Sequence, residues 1–318
     1  MNDMRPTEAP VLDVQAAVDN ALKDVSAYQG QGVLPSYIPA LAQVDPRKFG
    51  LAIVDAGGRV YCAGDADEPF SIQSISNVFT LSLVLQHVGG GLWNHVGKEA
   101  SGSAINSIVQ LELARGKPRN PLINAGALVV DDHLIAKDSA DVAIEELLEF
   151  LCERCGESDV EIDEKVALSE SKAGSLNRSL AHYIAAFSNL QHPAEEVVSV
   201  YFRQCAVAMS CRQLAKAALY LAFDGMDPVS GDQIILPTRC RRILALMMTC
   251  GHYDNSGDFA FRIGLPGKSG VGGGILAIAP GHAAIAVWSP GLNQAGTSLA
   301  GAAALEKLVE HTGWSVFA

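Results

Sequence analysis

Apolar residues recur at helical spacing through most of the chain between about residues 75 and 250. The segments 77–88, 141–155, 211–223 and 237–250 carry apolar positions three or four residues apart, and Gly or Pro residues separate the segments. The same spacing predicts a helix at 11–25 near the start of the chain and another at 298–311 near its end. The middle of the chain is therefore predicted to be mostly helical.

Shorter apolar runs predict strands towards both ends of the chain. Residues 49–63 hold two such runs around Gly57-Gly58, which is a β-hairpin pattern. Further strands are predicted at 258–264, 275–279 and 284–288. Five strands in hairpin order imply an antiparallel sheet assembled from both chain ends, with the helical region inserted and the terminal helices packed on the sheet.

The predicted fold class is therefore α+β rather than a regular series of βαβ units. We expect one domain over residues 1–318, with a sheet lobe at about 1–73 and 251–318 and a helical lobe at about 74–250.

Composition narrows the classes of partner. Hydrophobic residues make up 49% of the 318 positions and charged residues 18%, which is typical of a folded globular protein. A net charge of −12 with scattered Lys and Arg residues argues against binding to nucleic acid. The first residues do not read as a signal peptide, and no apolar run approaches the roughly 20 residues that span a bilayer. We expect a soluble, cytoplasmic protein with no membrane contact.

Seven cysteines, an odd number, favour reduced thiols. Cys152 and Cys155 form a lone CxxC without a second pair, and none of the eight histidines has metal-ligand spacing. We expect no metal site and no cofactor.

A serine-rich segment, Ser71-Ile-Gln-Ser-Ile-Ser-Asn77, follows a turn and opens an apolar helix. A serine at a helix start lies where the helix dipole favours negative charge developing on an attacked carbonyl. The competing interpretation is that Ser74 or Ser76 only caps the helix.

The second chemical segment is Lys268-Ser269-Gly270, within a glycine-rich stretch between predicted strands. It is not a phosphate loop, because Arg262 occupies the position of the first glycine and a strand follows instead of a helix. Lys-Ser-Gly on a strand is instead typical of the penicillin-recognising serine enzymes, whose first element is Ser-x-x-Lys at a helix start. A plain glycine-rich hairpin turn is the alternative.

Several long motifs together resemble the serine-dependent glutaminases in their short bacterial form, over nearly the whole chain. The matching segments, in order, begin at Gly32, Gly64, Asn120, Ser169, Tyr201, Cys250 and Lys268. The resemblance implies a β-lactamase-like fold and metal-free hydrolysis of L-glutamine to L-glutamate and ammonia. It also implies a homodimer or homotetramer.

The resemblance implies roles for individual residues. Ser74 corresponds to the nucleophile, Tyr253 to the tyrosine that relays protons beside it, and the N–H groups of Ser74 and Val271 to the oxyanion hole. The positions that correspond to substrate contacts are Tyr37, Gln73, Asn124, Glu170, Asn177 and Tyr201, together with Tyr253 and Val271. A free amino acid presents an ammonium and a carboxylate. A protein carboxylate can bind the ammonium, and neutral hydrogen-bond donors can bind the carboxylate.

One position departs from the family pattern, because Asn77 stands where Ser-x-x-Lys requires a lysine. The spacing puts residue 77 one helical turn beyond Ser74, on the same face. A lysine there accepts the hydroxyl proton, whereas an asparagine amide is not a base at neutral pH. We therefore expect a protein that binds glutamine or glutamate but turns over poorly.

Alternatives remain open at this point. Asn77 is either an engineered substitution or the mark of a natural paralogue that binds amino acids without catalysis, and either Lys268 or Tyr253 could replace it as the base. A β-lactamase-like hydrolase is a third functional class. Ser169-Glu-Ser-Lys172 is a literal Ser-x-x-Lys, but it lacks the apolar-helix context.

Overall fold

The computed structural model describes residues 12–101, 108–136 and 138–318. The first eleven residues, where the absence of a signal peptide was expected and where the predicted N-terminal helix began, lie outside the described residues. Within the described part, no helix is both long enough and apolar enough to cross a bilayer.

Helices occupy most of the middle of the chain, as predicted. The α-helices of the described residues are α1 Val14–Asp24, α2 Ser76–His87, α3 Ile108–Leu113, α4 Asn124–Ile135, α5 Ala140–Cys155, α6 Glu164–Ala173, α7 Ser175–Ala186, α8 Ala194–Cys205, α9 Cys211–Ala217, α10 Leu219–Ala222, α11 Pro237–Cys250, α12 Ser256–Arg262 and α13 Leu299–Thr312. The predicted helix at 211–223 is thus two short helices that break at Ala218.

Two sheets are present in the described residues. The strands are β1 Gly50–Asp55, β2 Val60–Gly64, β3 Phe70–Ser71, β4 Glu161–Ile162, β5 Val207–Met209, β6 Gly267–Ser269, β7 Gly274–Ala279 and β8 Ala283–Trp288. The larger sheet has the order β2-β1-β8-β7-β6, with every pair antiparallel, and so joins strands from both ends of the chain. This confirms the predicted α+β class. The small sheet, β3-β5-β4, was not predicted, because strands of two or three residues carry no readable alternation.

Period-two alternation divides the larger sheet between two apolar cores. On β1, Ala52 and Val54 face the helices of the middle region, while Leu51 and Ile53 face α1, α12 and α13. The register between β6 and β7 determines the face of the sheet on which each side chain of β6 lies. Lys268 lies opposite Leu276, which belongs to the helix-facing core, so the Lys268 side chain enters the helical layer.

The strand predicted at 258–264 is wrong: Ser256–Arg262 is helix α12. Phe259, Phe261 and Ile263 alternate in sequence, which is the strand pattern. Phe259 and Ile263, four residues apart, are both buried against the sheet, whereas Phe261 is 91% exposed. Burial at i and i+4 is satisfied by a helix, and the fifth strand of the sheet is Gly267–Ser269 instead.

Alanine substitutions distinguish the helix from a strand at this site. We expect Phe259→Ala to lower the free energy of unfolding by about 3–5 kcal/mol, because it empties a packed position. Phe261→Ala should change it by less than about 0.5 kcal/mol, because the ring is exposed. Urea unfolding of the two variants measures both values, and equal losses would contradict the helix.

Candidate active site

Ser74 lies in a 3₁₀ turn, Gln73–Ile75, that runs directly into α2. Neither this turn nor α2 has a side-chain N-cap, and the Ser76 hydroxyl donates to the Gln73 carbonyl at 2.7 Å. Ser74 therefore does not act as a helix cap. Its side chain instead lines a pocket together with Tyr253, whose pKa it lowers.

The glycine-rich turn after β6 packs on the backbone of the segment that carries Ser74. A Cβ atom on Gly270 would lie 2.4 Å from the carbonyl oxygen of Ile72, and one on Gly272 would lie 2.3 Å from that of Ser71. Only glycine permits such an approach. Val271, held between the two glycines, lines the same pocket as Ser74. The glycines thus serve the contact between two protein segments, in addition to any contact with substrate.

A small pocket of about 90 Å³ brings together most of the side chains that the sequence singled out. Those that line it are Tyr37, Gln73, Ser74, Asn124, Glu170, Asn177, Tyr201, Tyr253 and Val271. Asn77 and Lys268 are not among its lining residues and are both buried. A wider cleft of about 830 Å³ adjoins the pocket and shares Tyr37 with it.

Helix ends bring the polar groups of the pocket together. Asn124 is the first residue of α4, and its amide nitrogen donates to the Asn177 side-chain oxygen at 2.9 Å. Glu170, on α6, lines the same pocket as Gln73, which lowers the Glu170 pKa and whose amide donates to the Ser71 hydroxyl at 2.9 Å. Side chains from four separate parts of the chain therefore converge on one cavity.

Glu170 is a carboxylate in a poorly solvated place. Burial raises its pKa to about 7, and the hydrogen bond from Gln73 opposes that rise. Among the described residues, no lysine or arginine stands beside it as a counter-charge. Its neighbours Tyr37 and Tyr201 have pKa values raised by burial first and by the Glu170 charge second or later. A ligand cation would complete this site electrostatically.

Two residues next to the Ser74 hydroxyl have left-handed backbone conformations that side chains seldom adopt. Gln73 has φ +51° and Tyr253 has φ +54°. Such conformations cost about 1–3 kcal/mol each and cluster at functional sites. Burial raises the pKa of Tyr253 to about 12, and the hydrogen bond with Ser74 opposes that rise. Tyr253 is thus a phenol, not a phenolate, at neutral pH.

Asn77 is buried and committed to a hydrogen-bond chain that leads away from Ser74. Its side-chain oxygen accepts from the Gln204 amide at 3.0 Å, and the Gln204 oxygen accepts from the Thr80 hydroxyl at 2.6 Å. The Asn77 amide nitrogen has no partner within the described part of the chain. Residue 77 therefore offers no proton acceptor to Ser74.

Lys268 is fully buried beside Tyr253. Its ammonium nitrogen lies 3.4 Å from the Tyr253 hydroxyl and 4.5 Å from the centre of that ring, and it donates to the Ser269 carbonyl at 2.6 Å. Burial lowers its pKa to about 7, with a smaller opposing effect of Cys205. No carboxylate of the described ranges pairs with it.

Three neighbours of the site were not singled out from the sequence. Gln204 and Cys205 lie three and four residues after Tyr201, within the family segment that begins there, so the signal was present without an assigned role. His252 is buried with both ring nitrogens lacking partners among the described residues, and its ring stacks on that of Phe259 with 3.6 Å between the ring centres. Burial, and then Lys268, hold the pKa of His252 well below its usual range.

Other candidates from the sequence do not form sites. Lys172 of the second Ser-x-x-Lys is exposed, and the Ser169 hydroxyl accepts from the Ala40 N–H at 3.3 Å. All seven cysteines, each in a described region, are unpaired. Over those same regions, no cluster of three or more His, Cys, Asp or Glu side chains could hold a metal ion.

Comparisons with known proteins agree on one family. The sequence profile of the glutaminase family matches residues 32–317. Glutaminases of Rhizobium johnstonii and Rhizobium meliloti are 56% and 54% identical, over 96% and 100% of this chain and 99% of each relative. A thermolabile glutaminase of Rhizobium etli is 56% identical over 96% of this chain and 99% of its own length.

Solved structures give the same answer. The probable glutaminase YbaS superposes with a TM-score of 0.90 at 37% identity, covering 96% of this chain and 98% of its own. A Bacillus subtilis probable glutaminase gives 0.84 at 32% identity, covering 94% and 98%. The structure of Mglu in its glutamate form gives 0.90 at 34% identity, covering 98% of this chain and 70% of Mglu.

Fold and relatives together define an amidohydrolase with the α+β, β-lactamase-like architecture of these solved enzymes. The chain belongs to the glutaminase family, and glutamine hydrolysis is the activity that its relatives support.

The burial of Lys268 predicts a pH dependence of stability. Between about pH 7 and 10 the folded lysine is neutral while the unfolded one is protonated, so folding releases a proton and rising pH favours the fold. Relative to Lys268→Met, the parent should gain roughly 1 kcal/mol of unfolding free energy per pH unit in this range. Urea unfolding of both proteins at matched pH measures the gain. A difference that stays constant with pH would contradict the lowered pKa.

Proposed function

We propose that this chain hydrolyses L-glutamine through an acyl-enzyme on Ser74. The Ser74 oxygen attacks the side-chain amide carbon, the C–N bond breaks and ammonia leaves. Water then attacks the ester and releases L-glutamate. The observation that carries this proposal is the single pocket shared by Ser74, Tyr253 and an unpaired buried carboxylate, Glu170.

Substrate recognition follows from the polarity of the pocket. We assign the α-ammonium of glutamine to Glu170, because a buried carboxylate without a counter-charge favours a cation. The α-carboxylate is assigned to the neutral donors Asn124, Asn177, Tyr37 and Tyr201, with Gln73 contributing through its bond to Glu170. The Mglu structure in its glutamate form supports an amino-acid ligand in this family.

The developing oxyanion needs fixed donors. We assign that role to the N–H groups of Ser74 and Val271. The contacts of Gly270 and Gly272 with Ile72 and Ser71 support this, because they fix the two backbone segments against each other. Donors held in place before the reaction lower the barrier without further reorganisation. No part of this scheme calls for a metal or cofactor.

Activation of Ser74 is where this chain is expected to be weak. General-base assistance is worth about 10²–10⁴ in rate, or roughly 3–5 kcal/mol of barrier. Asn77 cannot give it, because its amide is not basic and its oxygen is already bonded to Gln204. We therefore propose an intact binding pocket with a strongly impaired chemical step. The same observation supports a second candidate, a paralogue that binds glutamine or glutamate without turnover.

Three broader proposals accompany this one. We propose that the chain is a single glutaminase domain, with its sheet and helical lobes divided near residues 73 and 251. We further propose a homodimer or homotetramer in the cytoplasm. Size-exclusion chromatography with light scattering tests the assembly.

Restoring the lysine tests the assignment of residue 77. We expect Asn77→Lys to raise kcat for ammonia release from glutamine by about 10²-fold or more, because a base again faces Ser74. Asn77→Met, of similar length but without a base, should give no gain. A coupled ammonia assay measures both variants. Equal rates for the two would contradict the assignment, and Ser74→Ala in the parent should abolish any residual turnover.

The raised pKa of Glu170 predicts pH-dependent binding. Glu170 must be ionised to hold an ammonium, and its pKa in the free protein is about 7, so affinity should fall as pH drops below 7. For glutamine binding to Ser74→Ala, we expect Kd to weaken roughly 30-fold between pH 8 and 5.5. Isothermal titration calorimetry measures this, and Ser74→Ala with Glu170→Gln should bind weakly at every pH. A flat profile in Ser74→Ala would rule out Glu170 as the ammonium site.

A further inference from the structure

Lys268 forms the far end of a short line of polar groups that begins at the nucleophile. Ser74 and Tyr253 line the same pocket, where the Ser74 hydroxyl lowers the pKa of Tyr253, and the Tyr253 oxygen lies 3.4 Å from the Lys268 nitrogen. That nitrogen also donates to the Ser269 carbonyl at 2.6 Å. A neutral amine that donates one hydrogen there keeps its lone pair free for a second partner.

The surroundings of Lys268 favour its neutral form. The titratable groups that face it are Tyr253 and His252 from the turn after α11, and Cys205 from the end of α8. His252 and Cys205 are uncharged at neutral pH, because burial lowers the pKa of the His252 imidazole and raises that of the Cys205 thiol. The paired strand β7 presents only apolar residues and glycine, and the nucleophile turn Gln73–Ile75 has no titratable group. Consistently, the pKa of Lys268 is lowered to about 7, so much of it is unprotonated near neutral pH.

Tyr253 can relay a proton but does not persist as a phenolate. Its pKa of about 12 makes a free phenolate rare, so a proton taken from Ser74 requires a simultaneous acceptor beyond the ring. Asn77 is no such acceptor, since its oxygen is bonded to Gln204. Lys268 is the base within reach of the Tyr253 hydroxyl.

We propose that the turnover left to this chain runs through a Ser74–Tyr253–Lys268 relay, in which Lys268 is the terminal proton acceptor that replaces the base missing at residue 77. This inference rests on the proposed function, since it supplies the activation step of that same reaction. Lys268 acts through Tyr253 and does not itself need to touch the substrate.

The proton balance closes at every step. As the Ser74 oxygen bonds to the amide carbon, its proton moves to the Tyr253 oxygen, and the Tyr253 proton moves to the Lys268 nitrogen. When the C–N bond breaks, the lysine returns a proton through Tyr253 to the leaving nitrogen, which departs as ammonia. In deacylation the attacking water gives up its proton along the same line, and the Ser74 oxygen takes one back.

The test measures Lys268→Met in two backgrounds, the parent chain and Asn77→Lys. In the parent we expect kcat to fall by about 10²-fold or more, because the terminal acceptor is lost. In Asn77→Lys the loss should stay below about tenfold, because the lysine introduced by that substitution would take the Ser74 proton directly. In the parent background, Lys268→Arg should lose as much kcat as Lys268→Met, because a guanidinium cannot give up its proton. Lys23→Met, at an exposed lysine on α1 that lines neither the pocket nor the adjoining cleft, is the matched control and should leave kcat unchanged.

The pH profile separates a proton acceptor from a merely structural lysine. The parent kcat should rise with pH through about 7, because the amine must be neutral to accept, whereas Lys268→Met should lose this rise. The value to follow is kcat rather than kcat/KM, because Glu170 also titrates near 7 in the free protein but is held ionised by the substrate ammonium.

Three outcomes would overturn the relay. Equal losses from Lys268→Met in both backgrounds would make its role structural. An active Asn77→Lys variant beside a parent with no measurable turnover would show that the relay does not operate, while leaving the proposed function standing. Absence of ammonia release from both the parent and Asn77→Lys would remove the proposed function and the relay together.

Discussion

The site depends on one close contact between two backbone segments, the turn that carries Ser74 and the glycine-rich turn after β6. Gly270 and Gly272 approach Ile72 and Ser71 so closely that any side chain would collide. Because β6 is an edge strand of the large sheet and the Ser74 turn opens α2, this contact locks the sheet to the helical layer. The mutual positions of Ser74, Val271 and Lys268 follow from it.

Two buried charged groups give the site its unusual electrostatics. Glu170 is buried on helix α6 and Lys268 on strand β6, and neither has an ion-pair partner among the described residues. Burying a charged group without a partner is costly, so burial raises the pKa of Glu170 and lowers that of Lys268, and both shifts favour the neutral form. We propose different roles for the two groups, because an unpaired carboxylate can attract a substrate ammonium, whereas an unpaired amine can accept a proton. Each shift would be reduced if that group gained an oppositely charged partner within the protein.

Much of the secondary structure and most of the pocket residues could be predicted from the sequence, for different physical reasons. The hairpin around Gly57-Gly58 and the long helices were predictable because period and turn chemistry are local signals. The segment 258–264 was misread because Phe259, Phe261 and Ile263 fit the strand period, whereas the helix buries only Phe259 and Ile263, and packing against the sheet chooses between the two. The residues lining the pocket were predicted from family motifs. The Gln204–Asn77 hydrogen bond joins residues 127 positions apart, and the contact of Lys268 with Tyr253 joins residues 15 positions apart. The unpartnered ring nitrogens of His252 among the described residues depend on burial. No local sequence pattern encodes either kind of feature.

We propose that the protein binds glutamine normally while the attack by Ser74 is slow. The most direct measurement is a rapid-quench single turnover, with protein in excess over glutamine, that follows ammonia and the intact mass of the protein together. We expect glutamine to bind stoichiometrically, ammonia to appear in one slow phase and no acyl adduct on Ser74 to accumulate. A fast burst of ammonia with an accumulating glutamyl adduct on Ser74 would contradict it, because acylation would then be efficient without a lysine at residue 77.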